Sequence, residues 1–388
     1  MAPRRTGHLL RPRRQQARVT NIELFFDLVF AFAVTQLSHL LLADPTETGA
    51  LHTLLLFMAT WWVWICTAWA TNWLDPERPP VRLLLLALML AGLLFSAAIP
   101  EAFGTLGPVF AGCYVAMQLG RSAFTLWAIG DASPHNRRNF QRITLWLAFG
   151  GLFWLAGAAT QGPTRLGLWL AALALDYIAP TLGYRVPGLG RSTTADWDVE
   201  GGHIAERCSQ FIIIALGESV LVTGARFAGL AWGGSTVAAF AAAFIGSVAL
   251  WWIYFDTAVE RGSHHIQKIA DPGRLARLAY TFVHVPIVAG IVVEAVADDL
   301  VLLHPEGPAS LPVIATSLGA PALYLLGNIL FKTPIAGRVP LSHLVGLGLL
   351  AALTPVAPSL SPLAIGAGTT AILVVVAAWE MISLRRAR

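Results

Sequence analysis

Charge is scarce in this chain. Of its 388 residues only 12% are Asp, Glu, Lys or Arg, while 56% are hydrophobic; soluble domains carry about 25% charged residues. An ordinary soluble protein is excluded, and a chain built for a lipid bilayer is implied. Cysteine is scarce too. Cys66, Cys113 and Cys208 all fall in apolar segments and none belongs to a CxxC. They read as small core residues, not as disulfides or metal ligands. Catalytic signatures are missing: there is no GxSxG, no HExxH, no Walker A loop and no Rossmann fingerprint. Nothing in the sequence calls for a cofactor. A cleavable leader is also missing, because residues 1–21 are Arg-rich and polar with no short apolar core. The net charge of +4 does not suggest a nucleic-acid partner, since the basic residues sit in loops and tails.

What is there is apolar helix. Twelve segments stand out, at about 22–42, 50–71, 82–100, 107–129, 142–160, 164–184, 204–225, 234–257, 276–297, 310–331, 340–357 and 362–384. Most approach the ~20 residues that a spanning helix needs; the eleventh is short. With the N-terminus cytoplasmic and all twelve crossing, 23 of the 26 Lys and Arg fall on the cytoplasmic side. Arg165 and Arg226 fall outside and Arg121 lies within a segment. This positive-inside pattern predicts an all-α integral membrane protein of the cell membrane, multi-pass, with about twelve transmembrane helices and both termini cytoplasmic.

Internal similarity divides the chain at its longest connection. Trp61–Trp62 followed by Cys66 and Ala70 matches Trp251–Trp252 followed by Asp256 and Glu260. QLGRSAF at 118–124 resembles LLGNILF at 325–331, and Asp176 and Glu380 each lie in a late helix. The division predicted is a basic cytoplasmic arm at 1–19, a six-helix repeat at 20–185, a cytoplasmic linker at 186–202 and a second six-helix repeat at 203–388. Six is even, so the repeats share one orientation. The arm is expected to be disordered, and VPGLG at 186–190 to be a turn.

Buried charge is the functional signal, because carboxylates in a membrane need partners, water or a task. Glu23 and Asp27 stand at i,i+4 on one helix face, followed by Thr35, Gln36, Ser38 and His39. They are either a proton- or ion-handling pair or a packing pair held by an arginine. His203, Glu206, Arg207 and Glu218 form a second set. Glu206 and Arg207 are expected at the membrane edge. Glu218, near the midplane, is either a proton carrier or a hydrogen-bonded carboxyl joining helices. Arg121 needs an acidic partner, with Asp27, Asp176 and Glu218 as candidates. Asp256, Glu260 and His264 have metal-ligand residue types, but Gly262 breaks the run and a hydrated loop is expected instead. Glu294 and His284 complete the set.

IELFFDLVFAFAVTQLSHLL with HIAERCSQFIIIALGESVLVTG, joined by WWIYFD at 251–256, resembles the bacterial low-temperature-requirement A family over nearly the whole chain. That resemblance implies a polytopic membrane protein linked by name to growth in the cold. FFDLVFAFAVTQL also looks like the first helix of endolysosomal potassium and proton channels built from two six-helix repeats. The second half departs from that pattern, because its seventh helix has no Phe-x-Asp. Three functions stay open: a transporter or channel for protons or monovalent cations, a non-transporting membrane-integrity or lipid-interacting protein, and an enzyme on lipid-linked substrates, the last without a catalytic spacing. The lipid bilayer is the expected partner, with a homo-oligomer also open.

Overall fold

The computed structural model describes residues 9–11, 18–192, 200–255 and 277–385. Twelve α-helices account for most of them: α1 Asn21–Ala43, α2 Glu47–Trp73, α3 Pro79–Ala97, α4 Gly107–Ile129, α5 Pro134–Ala158 and α6 Gly162–Ile178. Then come α7 Gly201–Ala228, α8 Gly234–Phe255, α9 His284–Leu303, α10 Leu311–Ala336, α11 Leu341–Leu353 and α12 Pro362–Arg385. No sheet occurs among the described residues. All twelve expected segments are therefore helical. Seven of the described helices (α1, α2, α3, α7, α8, α10, α12) are long and apolar enough to cross a membrane on their own. The others are shorter or diluted by polar residues. α6 has 17 residues and α11 has 13, α5 opens with PHNRRNFQR, and α9 carries three acids. The chain is a multi-pass helical membrane protein.

Local chemistry sets many of the boundaries. Proline occupies the first turn of α3, α4, α5, α6 and α10, where its missing N–H is not needed. Ser133 caps α5 by accepting from the Asn136 amide. Gly337 ends α10 in the left-handed conformation at φ 67°. The ninth helix ends later than expected, and at its expected start Arg277–Phe282 form a π-helical turn ahead of the α-helix. Pro286 suits a first turn beginning at His284. At the far end Asp299, expected beyond the span, stays in the helix because Arg226 on α7 donates to it, Nη2 to Oδ2 at 2.9 Å.

The described chain forms two compact units. The first holds residues up to Leu37 and from Leu51 to Arg207, the second Ser38–Ala50 and those from Cys208 onward. In the first, α4 packs on α3 and α5, and α5 on α6. α3 shows the solvent it is built for. Leu83, Leu90 and Leu94 are exposed, while Leu85, Leu88 and Phe95 on the other face are buried. A helix apolar all round, with its leucines outward, suits lipid. Arg165 is buried at the start of α6 and closes the preceding turns. It donates to the carbonyls of Gly157, Thr160, Ala102 and Gly104 at 2.7–3.3 Å.

In the second unit α9 packs on α10, α8 on α12, and α11 on both α10 and α12. α9 and α10 meet through glycines. A Cβ on Gly290 would lie 2.9 Å from the Tyr324 amide nitrogen, and one on Gly327 would lie 2.8 Å from that of Ile287. Small residues let membrane helices approach this closely.

Two expectations about loops need correcting. The basic arm is not wholly free of structure: residues 9–11 dock on the end of α2. Leu9 is buried against Ala70, Leu74, Val81 and Ala128, and Arg11 N–H donates to the Trp73 carbonyl at 2.8 Å. Lys332, counted as a loop charge, lies inside α10 and is buried. The turn at 186–190 is present, closed by two hydrogen bonds between Val186 and Gly190 at 3.0 Å.

Candidate functional site: a buried ion cluster in the first unit

The site begins with how α1 starts. Thr20 and Glu23 form the Ser/Thr-x-x-Glu spacing of a capping box. Glu23 Oε2 reaches back to accept from Thr20 N–H and Thr20 Oγ, each at 2.9 Å. This fixes the Glu23 rotamer and presents Oε1 to α7. One helical turn later, Asp27 lies on the same face. Both carboxylates have 0% exposure.

α7 answers with the same spacing. His203 and Arg207 stand at i,i+4 in its first turns, also fully buried. His203 Nε2 lies 2.9 Å from Glu23 Oε1, and Arg207 Nη1 lies 3.1 Å from the same oxygen. Arg207 Nη2 donates to Asp27 Oδ1 at 2.6 Å. α2 supplies the third wall. Trp64 Nε1 donates to Asp27 Oδ1 at 2.7 Å, and Thr71 Oγ accepts from Arg207 at 3.3 Å. The Arg207 guanidinium also lies about 6 Å from the ring centres of Phe26 and Trp64, within cation–π range.

Arg11 completes the cluster from the docked arm, donating to Glu23 Oε2 at 2.9 Å and to the Thr71 carbonyl at 2.8 Å. The protonation of His203 follows from its other nitrogen. Asn72 is oriented by a reciprocal pair with the Glu200 backbone, at 2.8 and 3.0 Å. Its amide therefore donates to His203 Nδ1 at 3.3 Å. With Nδ1 accepting, the neutral ring that fits Asn72 and Glu23 is the one protonated at Nε2; Arg11 Nη2 lies 3.2 Å from that nitrogen and donates to Glu23 Oε2. Two carboxylates then face two guanidinium groups, and the charges cancel.

The expected residues divide into groups. Glu23, Asp27 and Arg207 come together, and Glu206, half-buried, accepts from the Val19 amide at 3.2 Å near the same place. Asp27 pairs with Arg207 and not with Arg121, because α7 brings a fork-shaped donor to the face that α1 presents. Arg207 accordingly moves from the expected membrane edge to the buried centre. Arg121 belongs to a second network of the first unit. It donates to Val63 O and Thr67 Oγ at 3.3 and 3.1 Å, and to Gln118. Gln118 continues to Tyr114, whose hydroxyl donates to Asp176 at 2.6 Å, while Trp154 donates to Asp176 at 3.3 Å. Glu218 and Glu294 belong to the second unit; Glu218 is half-buried on α7 and Glu294 is buried on α9. Asp256, with Glu260 and His264, lies outside the described residues.

Several partners escaped the sequence reading. Trp64 and Asn72 were not singled out, and Arg11 was counted only among the basic residues of the arm. The Thr20-x-x-Glu23 spacing was legible as a capping box. The i,i+4 spacing of His203 and Arg207 matches that of Glu23 and Asp27, but spacing alone does not pair two helices. In the second unit, Lys332 donates to Glu380 at 2.7 Å and to the Ile253 carbonyl at 2.8 Å. No group of three or more His, Cys, Asp or Glu among the described residues is placed to hold a metal ion.

The family described as bacterial low temperature requirement A protein (LtrA) matches residues 18–378. An uncharacterized protein of Rhizobium meliloti (strain 1021) is 39% identical over 390 aligned positions, covering 100% of this chain and 95% of the relative. No solved structure matches.

Proposed function

The chain belongs to the bacterial low temperature requirement A family, and we propose that it is a proton- or ion-linked transporter or channel in which Asp27 takes up and releases a proton. The observation that carries this reading is that the cluster is buried yet incomplete. Asp27 Oδ2 and Arg207 Nε have no hydrogen-bond partner among the described residues. Each such orphan costs about 1–3 kcal/mol, so a cluster serving only to join helices gains by satisfying them. Orphaned polar atoms of this kind mark sites with a further task or an ordered water. A proton on Oδ2 removes the charge that Arg207 answers and loosens the first turns of α7 from α1. The reading includes two parallel six-helix repeats and cytoplasmic termini, supported by the internal matches and by the distribution of Lys and Arg.

A second reading has its own support. The cancelling charges and 0% exposure of Glu23, Asp27 and Arg207 suit a non-transporting membrane-integrity or lipid-interacting protein whose charges fix packing. Proteoliposomes loaded with a pH-sensitive dye separate the two. Under a pH gradient, with a panel of monovalent cations, the transport reading expects flux that Asp27→Asn abolishes while the variant stays monodisperse and folded. Flux for no ion overturns it in favour of packing; flux that Asp27→Asn leaves intact overturns the role given to Asp27.

A further inference from the structure

The second unit holds two carboxylates with no counter-charge. Glu294 and Asp298 stand at i,i+4 on α9, and neither has a hydrogen bond or ion pair among the described residues. Two basic groups of the second unit are committed elsewhere: Arg226 to Asp299 and Lys332 to Glu380. Glu294 is only 6% exposed. A carboxylate at this depth must gain a proton or a cation.

The surroundings select between these. Glu294 and Asp298 line a cavity with Ser317 of α10 and Thr369 and Thr370 of α12. It has room for about one water-sized sphere. Ser317 is 3% exposed and lines the cavity, and its buried hydroxyl has no hydrogen-bond partner among the described residues. Pro321 removes the N–H that would have bonded the Ser317 carbonyl within α10. The two threonine hydroxyls spend their protons on backbone carbonyls, Thr369 on Gly366 at 3.0 Å and Thr370 on Ala242 at 3.2 Å. Their lone pairs remain available. Gly246 keeps the wall open, since a Cβ there would lie 3.3 Å from Thr370 Oγ and 3.5 Å from Glu294 Oε1. The donors are all oxygens, with neither nitrogen nor sulfur, and such sets suit hard cations.

We propose that Glu294, Asp298, Ser317 and Thr370 form a binding site for one small monovalent cation of the sodium class, in exchange with protons on the two carboxyls. The site goes beyond the function proposed above and does not rest on it, because binding is measurable whether or not the protein carries flux. No other charged side chain lines the cavity. α8 contributes alanines, α10 Ser317 and α12 threonines, and Asp299, next to Asp298 on α9, is held by Arg226.

The test is thermal unfolding of the purified full-length protein in detergent, with sodium chloride against choline chloride at equal ionic strength. Equilibrium binding of radioactive sodium runs in parallel, so that a poorly folding variant leaves a second readout. The expected result is a saturable rise of the unfolding midpoint with sodium only. The half-saturating concentration should climb by up to about tenfold for each pH unit of acidification through the exchange range. Glu294→Gln should raise it about tenfold or more, and Ser317→Ala, which alters neither charge nor fold, should raise it several-fold. No sodium-specific rise and no bound sodium in the wild type overturns the proposal and leaves the carboxyls simply protonated. Binding of unchanged strength in Glu294→Gln and Ser317→Ala overturns it too.

Discussion

Replacing Arg207 by Met tests how the buried cluster shares its charges. Arg207 serves two carboxylates, at 3.1 Å for Glu23 and 2.6 Å for Asp27. Glu23 loses little when it goes, because Arg11, His203 and Thr20 still donate to it. Asp27 keeps only the Trp64 indole. Stranding a buried charge costs about 3–5 kcal/mol, and nearly all of it should fall on Asp27. Neutralising that carboxylate should therefore repair most of the damage. In a double-mutant cycle measured by reversible unfolding in mixed micelles, Arg207→Met and Asp27→Asn should couple by about 2 kcal/mol or more. Arg207→Met and Glu23→Gln should couple by clearly less. Additivity within about 0.5 kcal/mol for both pairs, or stronger coupling to Glu23, would refute the assignment of Arg207 to Asp27.

Three further outcomes follow from the same geometry. Trp64→Phe keeps the ring but removes a donor to a buried carboxylate, and should lower stability by about 1.5–3 kcal/mol in the same unfolding assay. Gly327→Leu drives a side chain into the backbone of Ile287 and should cost about 3 kcal/mol or more, whereas Gly348→Ala, with nothing within 4 Å of its added Cβ, should be neutral or slightly stabilising. Arg165→Lys replaces a fork that reaches four or more carbonyls with a single nitrogen; amide exchange in the connection between α5 and α6 should accelerate, and unchanged protection there would show the fork to be dispensable.

The helices were legible because apolar runs near twenty residues have few other meanings, and eleven of the twelve segments need only end adjustments. The ninth was closed too early because Asp298 and Asp299 look like the end of a span. Asp299 is held there by Arg226, a partner 73 positions away. The acidic half of the cluster was legible from one spacing, Glu23 to Asp27. Its basic half was not, because nothing local distinguishes an arginine that ends a loop from one that enters the core. For that reason Arg207 was expected at the membrane edge and Lys332 in a loop. Pairing is a property of which helix faces which, and that is settled by packing across about 180 residues.

The spacing of the cluster along the chain also sets an order of events at the ribosome. Arg11 precedes Glu23 by 12 residues, whereas Arg207 follows it by 184. At about 5–20 residues per second of synthesis, α1 waits roughly 10–40 s for Arg207 to be made. During that interval Arg11 is the one arginine of the cluster already present, an escort for acids that must enter the bilayer early. Losing Arg11 therefore weighs most on biogenesis. It should show as fewer correctly inserted molecules in a pulse-chase experiment.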